Sequence, residues 1–303
     1  MVKEYDFQII ANLLAGRGLA GGLLEELKIF LQKNSQSFRV LSVGKPTPIS
    51  KVPEDGSVKI KKAVICLGGD GTVSETVGYV LDNHLHVPIA VIPTGTSNII
   101  STVLQPKRKT NDFDFILNGR VKQVDVGVAD FGSEKDFFLM VFGLGFEEKF
   151  LKLVKEKLKN RLGMVSYLLA ALSELLVIKK IPVVIKVNGK EIRKDVALVA
   201  VFNLKPILFK IFPLFHDSRI IGDDGILNLY YIEYKNYLQA VLETLCFHFI
   251  GVKNMGLVKT ISGKNFQITS PVPTGAQIDG ELKGNLPVTL SLNEEKCSFL
   301  IPF

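Results

Sequence analysis

Several glycine-bearing loops contain residues that could bind a phosphate group or a metal ion. Gly68, Gly69 and Gly71 supply backbone that can approach a phosphate closely and bend without Cβ clashes. A helix predicted after this loop would begin with free N–H groups and a positive dipole end, which suits a polyphosphate. Asp70 adds a carboxylate where nucleotide-borne Mg²⁺ could meet it. Because many glycine loops merely turn the chain, this loop alone leaves the nucleotide and the structural interpretation open.

Polar residues in and after these loops also have two interpretations. Thr72 and Glu75 have the T-x-x-E spacing of a capping box with Thr72 as N-cap, and a functional role for Glu75 is the alternative. Thr94, Thr96 and Asn98 offer hydroxyl and amide groups to a phosphate or a ribose. Loop capping alone would also explain them.

Acidic residues near glycine form a second group of candidates. Asp279-Gly280 has the spacing of a hairpin turn, because this pair readily adopts positive φ, and Glu281 follows as a second acid. Asp223-Asp224-Gly225 is interpreted as a turn before a strand at 226–232. The histidines lack metal-ligand spacing, so we predict no zinc site.

The apolar pattern predicts the elements that position the glycine loops. In the first third of the chain, an apolar strand, a glycine-bearing loop and a helix follow one another three times. The predicted strands are 5–11, 62–67 and 87–92, and the first two helices end near Gln32 and Asp82. Alternating strands and helices predict a parallel sheet covered on both faces. Ligands bind beyond the carboxyl ends of such strands, where all three loops lie.

A second domain is predicted after Asp125. Short β-rich runs separated by turn residues favour a mainly antiparallel β-sandwich. These runs are 137–142, 183–187, 196–202, 227–232 and 266–269, and helical stretches at 147–160 and 163–178 interrupt them. The predicted domains are a nucleotide-binding α/β domain at 1–125 and a sandwich domain at 126–295, with residues 296–303 able to join either.

The composition limits which classes of protein are possible. The 303 residues are 47% hydrophobic, which argues against disorder, and the net charge of +7 favours anionic partners. Three scattered cysteines argue against a disulfide framework and for a reducing compartment. The N-terminus lacks a signal-peptide pattern, and the apolar run 164–178 is short for a membrane span. We therefore expect a cytoplasmic protein, peripheral at the membrane.

Several motifs together resemble the diacylglycerol-kinase catalytic domain family, which includes bacterial lipid kinases and sphingosine kinases. They occur in the family's order over nearly the whole chain. The motifs are Asn12 with Gly16, Gly68 to Thr72 with Glu75, Pro93 to Asn98, Val124 to Gly127, Gly143 to Phe146, Gly163 with Tyr167, Asn203, Asp223 to Gly225, and Ile278 to Glu281. GGDGT alone is shared with NAD kinases, whereas its pairing with P-T-G-T-S-N and the late Asp-Gly-Glu is more specific.

The resemblance implies a fold and residue roles. It implies a nucleotide-binding α/β domain, a C-terminal β-sandwich, and ATP between them with the lipid hydroxyl. Asp70 and Asp125 would organise Mg²⁺, Asp279 would be the base, and Glu281 would orient it or bind metal. A structural Mg²⁺ at Asp223 or Asp224 is a further expectation. The implied nucleotide-site residues are Asn12, Gly16, Gly68, Gly69, Asp70, Gly71, Thr72, Glu75, Thr94, Gly95, Thr96 and Asn98.

The sequence therefore predicts an ATP- and Mg²⁺-dependent lipid kinase. Ile99 stands where many relatives have aspartate, which leaves the acceptor lipid open. One alternative is an NAD-kinase-like enzyme acting on a soluble nucleotide, and another is a non-catalytic lipid- or nucleotide-binding regulator. Expected partners are a membrane lipid and an anionic membrane surface. The apolar stretch 205–215 and the basic helix 147–160 are candidate contact surfaces, and packing within the protein is the alternative for both. We expect no nucleic acid, and a homodimer remains open.

Overall fold

The structure is a computed structural model that describes residues 2–13, 19–43, 58–95, 98–105, 112–145, 178–205, 220–249 and 258–303. The chain divides into two units. Unit 1 comprises Met1–Val124 and Glu295–Phe303, and unit 2 comprises Asp125–Glu294. Unit 1 is α/β with a mainly parallel sheet, and unit 2 is built on an antiparallel sheet. The predicted fold class is confirmed.

Unit 1 is built on a six-stranded sheet in the order β2-β1-β3-β4-β17-β5. Every neighbouring pair is parallel except β17 with β5. The strands are β1 (Lys3–Asn12), β2 (Phe38–Val43), β3 (Val58–Gly68), β4 (Ile89–Pro93), β5 (Arg120–Val124) and β17 (Cys297–Ile301). The helices are α1 (Leu19–Lys33), α2 (Asp70–Asp82), α3 (Ile99–Leu104) and α4 (Phe115–Asn118).

Strand alternation sends the side chains of β1 to both faces of this sheet, as expected for period two. Phe7, Ile9 and Ala11 join a buried cluster with Leu27 of α1. Gln8 points to the other face, where its Nε2 donates to the Tyr79 hydroxyl of α2 at 2.8 Å. Helices thus cover both faces, and the loops before α2 and α3 emerge at the carboxyl edge of the strands.

In the described part of unit 2, hydrogen bonds join eleven strands into one sheet. Their core is a buried cluster that includes Phe138, Phe142 and Phe266. The strands are β6 (Gly127–Asp130), β7 (Lys135–Phe138), β8 (Val141–Leu144), β9 (Ile181–Val187), β10 (Lys190–Phe202), β11 (Leu227–Glu233), β12 (Val258–Gly263), β13 (Phe266–Thr269), β14 (Gly275–Ile278), β15 (Glu281–Asn285) and β16 (Val288–Leu292). Strand β10 pairs with β9 through its first half and with β8 and β11 through its second.

Two features of unit 2 differ from the sequence prediction. The predicted strand 137–142 is two strands, because the chain leaves the ladder at Leu139 and Met140 to bind a carboxylate described below. A helix that the sequence analysis did not predict, α5 (Tyr237–Phe249), follows β11. The predicted helix 147–160 and most of 163–178 lie outside the described residues, as does most of the 205–215 stretch. No helix in the described part of the chain is long and apolar enough to span a membrane.

Candidate functional site

The two glycine loops of unit 1 lie against each other, backbone to backbone. Thr94 N donates to Gly68 O at 2.9 Å. A Cβ added to Gly95 would lie 2.6 Å from Gly69 Cα, and one added to Gly69 would lie 3.1 Å from Gly95 Cα. No side chain fits at Gly95 without moving backbone. The contact therefore requires glycine and leaves a surface of bare peptide groups, as a phosphate site needs.

Asp70 joins these loops by capping a helix. Its Oδ2 accepts from Ile99 N at 3.0 Å, and its Oδ1 accepts from Ile100 N at 2.9 Å. These are the first two amides of α3, where a negative charge is favourable. Asp70 therefore holds the second loop in place, a role that the sequence analysis did not foresee. Its expected role toward Mg²⁺ stays a prediction.

The predicted capping box at Thr72 is wrong. Helix α2 begins at Asp70, its N-cap is Gly69, and no side chain caps it. Thr72 is instead buried in the first turn, where its Oγ1 accepts from Asn12 Nδ2 at 3.3 Å. A Cβ on Gly68 would lie 2.4 Å from the Cβ of Thr72, so this threonine packs directly against Gly68. Its side chain is therefore not placed to cap the start of α2. Glu75, the other half of the predicted box, lies inside the helix.

Two buried oxygens in the second loop lack a partner in the part of the chain that the structure describes. They are Thr94 Oγ1 and Asn98 Oδ1. Asn98 adopts a left-handed conformation with φ 48°, and its Nδ2 donates to Gly95 O at 2.7 Å. A buried polar atom without a hydrogen bond costs about 1–3 kcal/mol. A nucleotide fits this arrangement, because a hydroxyl can donate to a phosphate oxygen and an amide oxygen can accept from a ribose or a water.

The predicted nucleotide-site residues are thus brought together, as far as they are described. Asn12, Gly68, Gly69, Asp70, Thr72, Thr94, Gly95 and Asn98 contact one another around the two loops. Gly71 and Glu75 lie in the first turns of α2. Gly16 and Thr96 lie outside the described residues.

Asp279 of unit 2 sits in the predicted hairpin, which is confirmed. Strands β14 and β15 pair directly on either side of it, and φ is 48° at Asp279 and 85° at Gly280. Its carboxylate accepts three backbone amides, from Leu139 at 2.9 Å, Met140 at 2.9 Å and Val141 at 2.8 Å. These bonds fix the carboxylate and end strand β7. Glu281, the first residue of β15, is exposed.

Asn203 holds the segment that binds Asp279. Its Nδ2 donates to Asp125 O at 2.6 Å and to Leu139 O at 2.9 Å. Its backbone N donates to Met140 O at 2.9 Å. The sequence analysis gave this fully buried residue no role. The available signal was an amide side chain directly after the apolar strand ending at Phe202.

The other predicted acidic residues lie in or beside the turn at residues 223–225. Asp125 is buried, and its Oδ2 accepts from Gly225 N at 2.7 Å. Asp223 and Asp224 are exposed, and Asp224 Oδ1 accepts from Ile226 N at 3.2 Å. The turn interpretation of this segment is confirmed. Among the described residues, no three His, Cys, Asp or Glu side chains are grouped to hold a metal ion.

Known diacylglycerol kinases are similar to this chain in sequence. Residues 6–129 match the diacylglycerol kinase catalytic domain. A diacylglycerol kinase from Bacillus subtilis (strain 168) is 24% identical over 288 residues, which cover 92% of this chain and 91% of that protein. Another relative, a diacylglycerol kinase from Staphylococcus carnosus (strain TM300), is 24% identical over 287 residues, 92% of this chain and 90% of that protein.

Solved structures share the fold. A diacylglycerol kinase from Bacillus anthracis str. Sterne has a TM-score of 0.64 at 19% identity, over 98% of this chain and 96% of that one. An NAD kinase from Archaeoglobus fulgidus in complex with ATP has a TM-score of 0.53 at 12% identity, over 97% of this chain and 93% of that one. The chain is thus similar to the diacylglycerol kinase catalytic domain over residues 6–129 and to known diacylglycerol kinases over most of its length, and the solved structures show the same fold.

Proposed function

We propose that the protein is a kinase that transfers the γ-phosphoryl group of ATP to the hydroxyl group of a membrane lipid. The observation that carries this proposal is the glycine contact between Gly69 and Gly95. Beside it lies Thr94 Oγ1, which has no hydrogen-bond partner among the described residues. The similarity to the diacylglycerol kinase catalytic domain supports a phosphotransferase, and the lipid acceptor is the step that this proposal adds.

In unit 1, the two glycine loops would bind and orient the phosphates of ATP. Bare peptide groups at the Gly69–Gly95 contact and the Thr94 hydroxyl would hold phosphate oxygens. Asp70 would act indirectly, because its two bonds to α3 keep the second loop against the first. Phosphoryl transfer depends mainly on such positioning and on charge neutralisation. Mg²⁺ would arrive with the nucleotide and would neutralise phosphate charge.

In unit 2, Asp279 is the proposed base. As the bond between the γ-phosphorus and its bridging oxygen breaks and the lipid oxygen bonds to phosphorus, the hydroxyl proton would pass to this carboxylate. The three hydrogen bonds donated by the backbone amides of residues 139–141 hold the carboxylate in one orientation. Asn203 holds the segment that carries those amides, because its side chain donates to Leu139 O. Asp125 would act indirectly, by fixing the turn at Gly225.

The test combines a product assay with a matched pair of glycine variants. Wild-type protein is incubated with Mg²⁺-ATP and a total lipid extract, and newly phosphorylated lipids are identified by mass spectrometry. Gly95→Ala should lower ATP affinity and lipid phosphorylation by about tenfold or more, because its Cβ would push the two loops apart. Gly21→Ala is the control, because a Cβ at this helical position meets nothing within 4 Å. Equal activity of Gly95→Ala and wild type would contradict the proposed site.

A parallel incubation with NAD tests the second candidate function. The fold likeness to an NAD kinase in complex with ATP favours including it. If NAD is phosphorylated and no lipid is, the acceptor is a soluble nucleotide and not a lipid. ATP binding without either product would indicate a non-catalytic regulator.

A further inference from the structure

Helix α5 of unit 2 exposes large apolar side chains in the part of the helix whose side chains are described. Tyr237, Leu238 and Leu242 are 47%, 68% and 52% exposed. At about 100° per residue these three side chains lie on one side of the helix. The opposite side is buried and carries Ala240 and Glu243, which are 0% and 6% exposed. A surface helix ordinarily buries its apolar stripe and exposes its charges. The exposed side of α5, formed by Tyr237, Leu238 and Leu242, is here called the α5 face.

The start of α5 is anchored, so the exposure of the α5 face does not come from a frayed end. Asn236 Oδ1 accepts from Gln239 N at 2.9 Å, which caps the helix. Gln239 Oε1 accepts from Lys235 N at 3.0 Å, and its Nε2 donates to Glu233 O at 2.9 Å. Ala240 packs into a buried cluster with Tyr230 and Ile232 of β11. Because these contacts fix the rotation of the helix, the apolar side chains point away from the sheet.

Lysines lie near the N-terminal end of the α5 face. Lys180 is 2.8 Å from Asp195, whose carbonyl accepts from Tyr234 N at 2.8 Å. Lys194 is 3.1 Å from Glu233. Among the described residues with known partners here, lysines outnumber carboxylates; this group consists of Lys180, Lys194 and Lys235 with Asp195 and Glu233. The surface is therefore apolar with a net positive border.

We propose that the α5 face rests on the surface of a bilayer that contains anionic lipids. Leucine and tyrosine would enter the headgroup region, while the lysines would lie at the level of the lipid phosphates. Each lysine near an anionic surface adds attraction that salt weakens. A bilayer is preferred over a second protein copy because of this positive border. The choice also rests on the proposed function, whose acceptor lies in a bilayer.

Vesicle sedimentation tests the proposal with two matched pairs of substitutions. Wild-type protein should bind vesicles of phosphatidylglycerol and phosphatidylcholine, and bind pure phosphatidylcholine vesicles less. The double variant Leu238→Ser/Leu242→Ser should bind the anionic vesicles at least about tenfold more weakly. The reason is that binding would no longer transfer two leucine side chains from water into the membrane interface. The control double variant Leu19→Ser/Ile29→Ser changes side chains of α1 that are 67% and 50% exposed, and it should bind as wild type does.

A charge variant and an activity assay separate the outcomes. Lys235→Glu should weaken binding to anionic vesicles at low salt and change little at high salt. The double α5 variant should keep its ATP affinity and its turnover of a dispersed short-chain lipid alcohol, and lose turnover only on vesicles. Inactivity of every protein, wild type included, would reject the proposed function and leave the vesicle result standing. Unchanged vesicle binding of the α5 variant overturns the proposal, as would loss of a dimer in light scattering without any change in vesicle binding.

Discussion

At the scale of single residues, Thr94 links stability to binding. Its Oγ1 is buried without a hydrogen-bond partner in the described part of the chain. Thr94→Val keeps the shape of the side chain and removes this oxygen. The free energy of unfolding should therefore stay level or rise by about 1 kcal/mol, while ATP affinity falls. Urea unfolding and calorimetric titration with ATP measure the two effects.

Thr274→Val is the control for this prediction. The Thr274 hydroxyl is also buried, yet it donates to Val272 O at 3.0 Å. Its loss should lower the free energy of unfolding by about 1 kcal/mol and leave ATP affinity unchanged. A Thr94→Val protein that loses stability as the control does, with normal ATP affinity, would show that the hydroxyl serves the fold alone.

Asp279 combines a structural role with its proposed role as the base. In Asp279→Asn, an amide nitrogen would face one of the three backbone donors. We expect the free energy of unfolding to fall by about 1–3 kcal/mol. Turnover should fall by about 10²- to 10⁴-fold because a general base is lost. Measured ATP affinity should change little.

The variant Gln277→Ala separates these two roles of the hairpin. Gln277 Oε1 accepts from Gly280 N at 2.7 Å, so its loss loosens the same turn without changing the carboxylate. Turnover should remain within a few-fold of wild type. If Gln277→Ala and Asp279→Asn lose turnover equally, the effect is structural and Asp279 is not the base.

At the scale of elements, a carboxylate attaches the edge strand β2. The Ser37 hydroxyl and amide donate to Asp6 Oδ2 at 2.7 Å and 2.9 Å, and Lys62 Nζ lies 3.3 Å from Oδ1. The hydrogen bonds from Ser37 are the main reason that the pKa of Asp6 is lowered from 3.8 to about 2. The unfolded chain therefore takes up a proton at higher pH than the folded chain does.

This difference predicts a pH dependence of stability. The contribution of Asp6 is present above about pH 4 and is lost as the pH falls toward 2. Ser37→Ala removes the hydroxyl donor, so its free energy of unfolding should fall less over this range. Urea unfolding at pH 5, 4, 3 and 2 measures the difference. Parallel pH profiles for wild type and Ser37→Ala would contradict the assignment.

Elements also show where local sequence rules succeed and fail. The strands β1, β3 and β4 and the end of α2 agree with prediction within a few residues, because apolar periodicity is a local property. The start of α2 was misplaced, because Thr72 packs against Gly68 and Asn12 where a local rule makes it a cap. The apolar run 137–142 broke into two strands because Asp279, far along the chain, binds its central amides.

At the scale of the whole molecule, the end of the chain completes the sheet of unit 1. Strand β17 lies between β4 and β5, and the side chain of Phe299 is fully buried. Phe299→Ala should lower the free energy of unfolding by about 3–5 kcal/mol and speed amide exchange in β4 and β5. Phe303→Ala changes a residue that is 92% exposed and should have almost no effect. Similar stabilities of the two variants would show that β17 contributes little.

Local patterns in the sequence were enough to predict the fold class and the position of the glycine loops in unit 1, because strand periodicity, glycine after a strand and turn-forming pairs act over a few residues. Only the tertiary structure decided which distant groups meet. Asp70 caps a helix that begins at Ile99, Asn203 holds the segment at 139–140, and β17 enters a sheet formed by the first 124 residues. The tertiary structure also shows that Leu238 and Leu242 of α5 are exposed. Such contacts depend on packing between segments far apart in the chain, and no local pattern encodes the partner.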